Sequence, residues 1–126
     1  MIEALDHAQV APPAGGEDAA RGFYSGLLGL EELEKPTPLA GRGGAWFALP
    51  DGRQLHLGVD EPFGASKKAH PAFVVSSLDG LAGSMEAAGF TVGWDEELAP
   101  RRRFYGEDPF GNRPEFMERR FLGSRF

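Results

Sequence analysis

The sequence predicts an α+β fold in which one unit, a βαβββ module, occurs twice. Each half opens on a histidine, His7 in LDHAQV and His70 in KAHPAFVV. Near its end each half has a glycine followed four residues later by a potential ligand, Gly52 with His56 and Gly111 with Glu115. Two repeats are too few for a solenoid, so we expect paired sheets that close around a groove.

Size and composition predict one domain. The chain has 126 residues, of which 41% are hydrophobic, enough for a single core. We place this domain over residues 1–126, with module one at about 1–61, module two at about 69–120 and a C-terminal tail at 121–126. The 18 glycines and 10 prolines favour short elements joined by tight turns.

Charge and cysteine content exclude several classes of function. A net charge of -6 argues against a nucleic-acid partner, because such binding depends on Lys and Arg. Without cysteine, a metal must be held by nitrogen and oxygen atoms. The segment MIEALDHAQV is acidic where a signal peptide is basic, and no apolar run has the length of a membrane span. We therefore expect a cytoplasmic protein with no membrane partner.

Periodicity predicts the elements of module one in order. Residues 5–10 alternate as a strand does, and 18–28 form a helix that stops at Gly29, with Ala19, Phe23, Leu27 and Leu30 as its apolar stripe. After a loop or strand, the apolar runs 45–49 and 54–59 flank PDGR and predict a hairpin.

Module two repeats this order. We predict a strand over 69–75, a helix over 77–88 and a strand over 90–94. A second hairpin joins 102–106 to 113–118 across EDPFGN, whose Asp-Pro and Gly-Asn pairs are typical of turns. Pro114 removes a backbone donor beside Glu115 and predicts an edge strand or an irregular one.

Side-chain direction predicts which residues face the groove. Alternate residues of a strand share a face, so Leu55 and Leu57 pack on the helix while His56 faces the groove. The same parity places Glu115 opposite Phe116, and His70 opposite Phe73. For His7 the parity is less diagnostic, because both faces of its strand carry apolar residues.

Three further side chains are candidates for substrate binding. If Phe104 packs on the helix, Arg103 and Tyr105 face the groove beside Glu115, and Arg113 lies on the same face as Glu115. Arginine suits bidentate binding of a carboxylate or phosphate. The alternative is that the run 101–103 forms a solvated strand edge.

These segments resemble the vicinal oxygen chelate superfamily, which includes glyoxalase I, fosfomycin-resistance enzymes, extradiol dioxygenases and bleomycin-resistance proteins. The resemblance covers nearly the whole chain and rests on LDHAQV, FYSGLLGL, QLHLG, AHPAFVV and YGEDPFGNRPEFME. It implies a glyoxalase-like, partly open, barrel-like cup of two βαβββ modules. The family is commonly homodimeric and holds a divalent metal on the concave face.

Carried over residue by residue, the resemblance implies a metal-ligand set of His7, His56, His70 and Glu115. Glu115 would also be the catalytic base, and the ion could be Zn, Ni, Co, Fe or Mn. In glyoxalase I the position of His56 is often glutamate. This chain therefore keeps only the carboxylate of Glu115, which argues against true glyoxalase I activity.

We expect a metal-dependent lyase or isomerase that acts on a small molecule with adjacent, chelating oxygens. Two alternatives stay open. A non-catalytic drug-binding protein of the bleomycin-resistance type would suit the acidic charge, and in a small extradiol-type dioxygenase His7, His70 and Glu115 would supply two histidines and a carboxylate. Each histidine by itself could equally be a core or surface residue.

Overall fold

The computed structural model describes residues 1–123 and divides the chain into two compact units, Met1–Ser66 and Lys67–Phe126. The division falls in PFGASKK, between the two predicted modules. Of the predicted tail, 121–126, the last three residues lie outside the described residues. No helix in the described part of the chain is both long and apolar enough to cross a membrane.

The first unit has the predicted βαβββ order. Its elements are β1 (His7–Val10), α1 (Glu17–Ala20) with a π-helical continuation (Arg21–Leu27), β2 (Glu31–Leu33), a 3-10 helix (Thr37–Arg42), β3 (Ala45–Ala48) and β4 (Gln54–Leu57). The strands form one mixed sheet in the order β1-β4-β3-β2, with β1 parallel to β4.

The second unit repeats this topology. Its elements are β5 (Ala72–Val74), α2 (Leu78–Ala87), β6 (Val92–Asp95), β7 (Arg103–Gly106) and β8 (Glu115–Met117). The sheet order is β5-β8-β7-β6, again with the first strand parallel to the last. The α+β class and the two βαβββ modules are thereby confirmed.

Both hairpins depend on a glycine with a left-handed backbone. Gly52, between β3 and β4, has φ 90°, and Gly111, between β7 and β8, has φ 87°. Residues with a Cβ rarely adopt such values. The register that follows places His56 opposite Trp46 in one sheet and Glu115 opposite Tyr105 in the other. His56 and Glu115 therefore occupy equivalent positions, as the repeat predicts.

The helix-facing side of each sheet is apolar, as side-chain parity predicts. Leu55 and Leu57 are 1% exposed, and Phe104 and Phe116 are fully buried with ring centroids 5.1 Å apart. Burying side chains of this size contributes about 1.5–3 kcal/mol each. The opposite sides of β4 and β8 are left for polar groups.

The apolar stripe of the first helix differs from the prediction. Ala19 is exposed, whereas Ala20, Phe23 and Tyr24 are buried. The buried residues still follow regular helical spacing, because Ala20 lies three residues before Phe23 and four before Tyr24. The sequence offers alanine at both 19 and 20, so spacing from Phe23 alone does not decide between them. The segment 21–27 is π-helical, and Leu28 N–H donates to the carbonyl of Phe23 five residues earlier.

Two strand predictions also need correction. Pro114 is not part of an edge strand, because β8 begins at the next residue and lies between β5 and β7. His70 lies two residues before β5 rather than within it, so strand parity does not orient it. A hydrogen bond described below does so instead.

Candidate functional site

His70 and Glu115 form a close contact in the second unit. The Nδ1 atom of His70 lies 2.7 Å from the carbonyl oxygen of Lys68, and because a carbonyl can only accept, Nδ1 carries the hydrogen and donates. In a neutral imidazole the lone pair is then on Nε2, which lies 2.9 Å from Oε1 of Glu115. Two acceptors repel at that distance. The contact therefore requires a proton or a cation between the two atoms.

This arrangement fits a metal centre. Metal-binding histidines commonly donate their second ring nitrogen to a backbone carbonyl, which fixes the tautomer and turns the lone pair toward the ion. The separation of 2.9 Å between Nε2 and Oε1 is close to the roughly 3 Å that separates adjacent donors bound at about 2.1 Å in an octahedral site. Imidazole nitrogen and carboxylate oxygen are also the donors that suit the predicted ions.

The other oxygen of Glu115 is held by Arg103. Arg103 donates from Nη1 to Oε2 of Glu115 at 3.0 Å and from Nη2 to Oδ1 of Asp95 at 3.1 Å. Burial opposes the charge of Arg103, but the bonds to Glu115 and Asp95 outweigh that cost and raise its pKa above the ordinary value. Arg103 is therefore charged at all physiological pH values and fixes the carboxylate of Glu115, which is only 5% exposed.

Tyr105 and Arg113 complete this side of the second sheet. The Tyr105 hydroxyl accepts from Arg103 at 3.2 Å, and its ring meets the ring of His70 edge-on at 5.4 Å. The Arg113 guanidinium lies 3.8 Å from the centre of the Tyr105 ring, a cation–π contact. Within residues 1–123 no carboxylate forms an ion pair with Arg113. Arg113 is thus able to bind an anionic group.

His7 and His56 lie together in the first unit. Their rings stack at 4.1 Å, and the opposite face of His56 stacks on Trp46 at 3.8 Å with the planes 2° apart. The Nε2 atom of His56 lies 2.8 Å from Oε1 of Gln54. His7 is the outer member, with its Nδ1 atom 2.9 Å from Asp6.

His56 is a neutral imidazole at physiological pH. Its side chain is buried, and burial lowers its pKa below the ordinary 6.5; the electrostatic interaction with His7 lowers it further, while Asp6 opposes the shift. A neutral ring is the form that binds a metal.

The predicted ligands are thus found in two pairs, His7 with His56 and His70 with Glu115, each within its own unit. Among residues 1–123, no three His, Cys, Asp or Glu side chains are grouped as a metal site. Arg103 and Tyr105 adjoin Glu115 as predicted, but Arg103 is committed to carboxylates of the protein itself.

Sequence reasoning missed two contributors. Trp46 could have been found, because the tight turn between β3 and β4 sets the register that pairs it with His56. Asp95 could not, because the segment between β6 and β7 is too long to fix which residue of β6 lies opposite Arg103.

Solved structures share this fold. No protein-family model and no curated protein matches the chain. It is 43% identical to a protein of the glyoxalase family from Bacillus anthracis, with 95% of this chain and 98% of that chain covered and a TM-score of 0.89. It is 26% identical to oxidase ChaP-H2 (98% and 99% covered, TM-score 0.71) and 22% identical to lactoylglutathione lyase from Agrobacterium tumefaciens (97% and 98% covered, TM-score 0.73). The repeated βαβββ topology and the similarity to the Bacillus anthracis protein together show that this chain belongs to the glyoxalase/dioxygenase superfamily, the vicinal oxygen chelate proteins.

Proposed function

We propose that this protein is a divalent-metal-dependent enzyme of the glyoxalase-like lyase or isomerase type. Its substrate would be a small molecule that chelates the ion through adjacent oxygens. The observation that carries the proposal is the contact between Nε2 of His70 and Oε1 of Glu115, which requires a proton or a metal ion between the two atoms.

The residues that would hold the ion are His7, His56, His70 and Glu115. A divalent ion, when bound, polarises carbonyl and hydroxyl oxygens of a substrate and lowers the pKa of its acidic protons. The chain supports this by keeping His56 neutral and by fixing the tautomer of His70 through the carbonyl of Lys68.

Glu115 is the residue suited to move a proton. Its carboxylate is buried and one of its oxygens accepts a hydrogen bond from Arg103. Rotation of the side chain is therefore restricted, and the carboxylate is held in one orientation. A proton removed from a substrate carbon would be accepted by Glu115 and returned to the neighbouring carbon. Arg103 is the positioning residue for this base, and Arg113 is the residue free to bind a negative group of the substrate.

A second candidate is an oxygen-dependent reaction. It is supported by the 26% identity to oxidase ChaP-H2 and by the presence of two histidines and one carboxylate, His7, His70 and Glu115. Once a substrate is known, turnover in the absence of oxygen would support the isomerase or lyase, and strict oxygen dependence would support the alternative.

Metal binding is the first test. Untagged protein is analysed for bound metal, stripped with a chelator and titrated calorimetrically with Zn, Ni, Co, Mn and Fe(II). We expect tight binding of at least one ion, weakened about 100-fold by His70→Ala and unchanged by Glu107→Gln, a partly exposed carboxylate near Lys67. A protein that contains no metal and binds none of the five would contradict the proposal and favour a non-catalytic binding protein.

The role of Glu115 requires a separate variant. In metal-loaded Glu115→Gln we expect loss of about 100-fold or more in kcat on any identified substrate, because the amide cannot accept the proton. A metal-loaded variant that retains the parental rate would show that Glu115 is not the base. Size-exclusion chromatography of the same samples tests the expected homodimer.

A further inference from the structure

A cavity of about 600 Å³ lies in the second unit where β6 leads into β7. Its wall is formed by residues 94–96 and 99–103. Three consecutive arginines, Arg101, Arg102 and Arg103, contribute to it. A volume of this size is typical of small-molecule sites.

The charges of two of these arginines are compensated within the protein. Arg102 donates to both oxygens of Asp79 at 2.8 Å and lies over the ring of Trp94. Arg103 is bonded to Asp95 and Glu115. Neither needs a further counter-ion.

Arg101 differs from both neighbours. It is only 4% exposed, and its Nε atom donates to the carbonyl oxygen of Glu118 at 2.9 Å. Within the part of the chain that the structure describes, its guanidinium makes no ion pair and no other hydrogen bond. An arginine has five N–H donors, so most of those of Arg101 are left without a protein partner beside a cavity.

A buried cation without a counter-ion is costly unless something else supplies the charge. We propose that this cavity binds the oxyanion of a small molecule, a carboxylate or a phosphoryl group, through the guanidinium of Arg101. The planar guanidinium is matched to the paired oxygens of either group. Trp94, which is 43% exposed, supplies an apolar wall for the rest of the molecule.

Two carboxylates line this wall. Asp95 is bonded to Arg103, whereas Glu96 opposes an anionic ligand. Glu96 is exposed, lines the cavity and forms no ion pair among residues 1–123. Its repulsion weakens the binding of an anion, and its removal should therefore tighten it. The proposed site is defined by the attraction of Arg101 and the repulsion of Glu96. It therefore does not depend on the proposed metal centre.

The test uses inorganic phosphate and succinate as probes in calorimetric titrations at low ionic strength. We expect saturable binding of at least one of them, with affinity unchanged by prior treatment with a chelator. Arg101→Gln should weaken binding about tenfold or more, as loss of hydrogen bonds to a charged group predicts, and Arg101→Lys should weaken it less. Preference for phosphate or for succinate distinguishes a phosphoryl from a carboxylate ligand.

Two exposed positions provide controls that do not disturb the buried arginine. Glu96→Gln should tighten binding about two- to fivefold by removing a like charge. Arg53→Gln, which removes an equal positive charge from an exposed ion pair with Asp51 in the first unit, should leave the affinity unchanged. In a Trp46→Phe background, Trp94 is the sole tryptophan and its emission should change on binding.

The proposal is overturned if neither anion binds saturably. It is also overturned if Arg101→Gln folds and leaves the binding affinity unchanged. If Arg101→Gln does not fold, Glu96→Gln and Arg101→Lys decide the outcome. Binding that disappears with the chelator would place the anion on a metal instead of on Arg101.

Discussion

At the scale of single residues, a chain of contacts determines the state of Glu115. Asp95 holds one side of the Arg103 guanidinium, Arg103 holds one oxygen of Glu115, and the other oxygen faces His70. The three side chains become progressively less exposed along this series of contacts: the exposed fraction is 28% for Asp95, 15% for Arg103 and 6% for Glu115. Such outer contacts fix the orientation of a metal ligand.

Asp95 therefore contributes to the proposed metal affinity without being a ligand. In Asp95→Asn, Arg103 loses a charged partner and pairs more strongly with Glu115, which withdraws negative charge from the ion. We expect metal affinity to fall about tenfold in calorimetric titrations. Asp79→Asn is the matched control, because it removes the carboxylate partner of Arg102 and leaves Glu115 untouched. Equal affinities in both variants and the parent would refute this role.

His56 makes the stability of the metal-free protein depend on pH. The folded-state pKa of His56 is below the unfolded value of 6.5. The contribution of neutral His56 to the free energy of unfolding is therefore fully present above pH 6.5 and is lost as the pH falls through the folded pKa. Urea denaturation of chelator-treated protein should show a free energy of unfolding that decreases below about pH 6.5. His56→Gln should lack this component, and a midpoint for His56 above 6.5 in an NMR titration would contradict the assignment.

At the scale of elements, the two hairpins show how the same topology is stabilised by different turns. In the second hairpin the Asp108 carboxylate is buried and accepts from the backbone of Phe110 and Asn112 and from the Asn112 side chain. In the first hairpin Asp51 is exposed and bonds to Arg53. The buried turn precedes β8 and thus helps to position Glu115.

The two turns should differ in their contribution to stability. Asp108→Ala leaves buried donors without partners and should lower the free energy of unfolding by about 1–3 kcal/mol. Asp51→Ala, its counterpart in the first hairpin, should lower it much less, because the contacts of Asp51 are solvated. Urea denaturation of both variants provides the comparison, and equal losses would contradict it.

Hairpins were the elements best predicted from sequence. The Asp-Gly and Gly-Asn pairs fix the turn, the turn fixes the register, and the register fixes which residues face away from the helix. The positions of His56 and Glu115 follow from this sequence of steps. The buried face of the first helix is less well determined by sequence, because Ala19 and Ala20 are both apolar and lie four and three residues before Phe23.

At the scale of the whole molecule, the two units repeat one topology but place different chemistry at equivalent points. In the first unit one such position is held by His56, a neutral imidazole stacked on Trp46. In the second unit the equivalent position is held by the carboxylate of Glu115, opposite Tyr105. The proposed ligand set takes two residues from each unit. Whether it binds one ion or two can be measured.

We expect one ion per chain. In Trp94→Phe protein the sole tryptophan is Trp46, which stacks on His56, so a quenching ion such as Co or Ni should alter its emission at a stoichiometry of one. Removal of His70 should abolish that response if a single ion is shared. Two ions per chain, or a response that is indifferent to His70→Ala, would show that the pairs act separately.

The sequence by itself determined the repeat, the α+β class, the hairpins and the residues from which a metal centre could be built. These depend on local turn chemistry and on the alternation of side chains along a strand, which short segments specify. Tertiary structure decided the tautomer of His70, the pairing of Arg103 with Asp95 and, among residues 1–123, the lack of an ion pair to Arg101. Those features arise where segments distant in sequence meet, and hydrogen-bond geometry and burial at such meetings are not specified by any one segment.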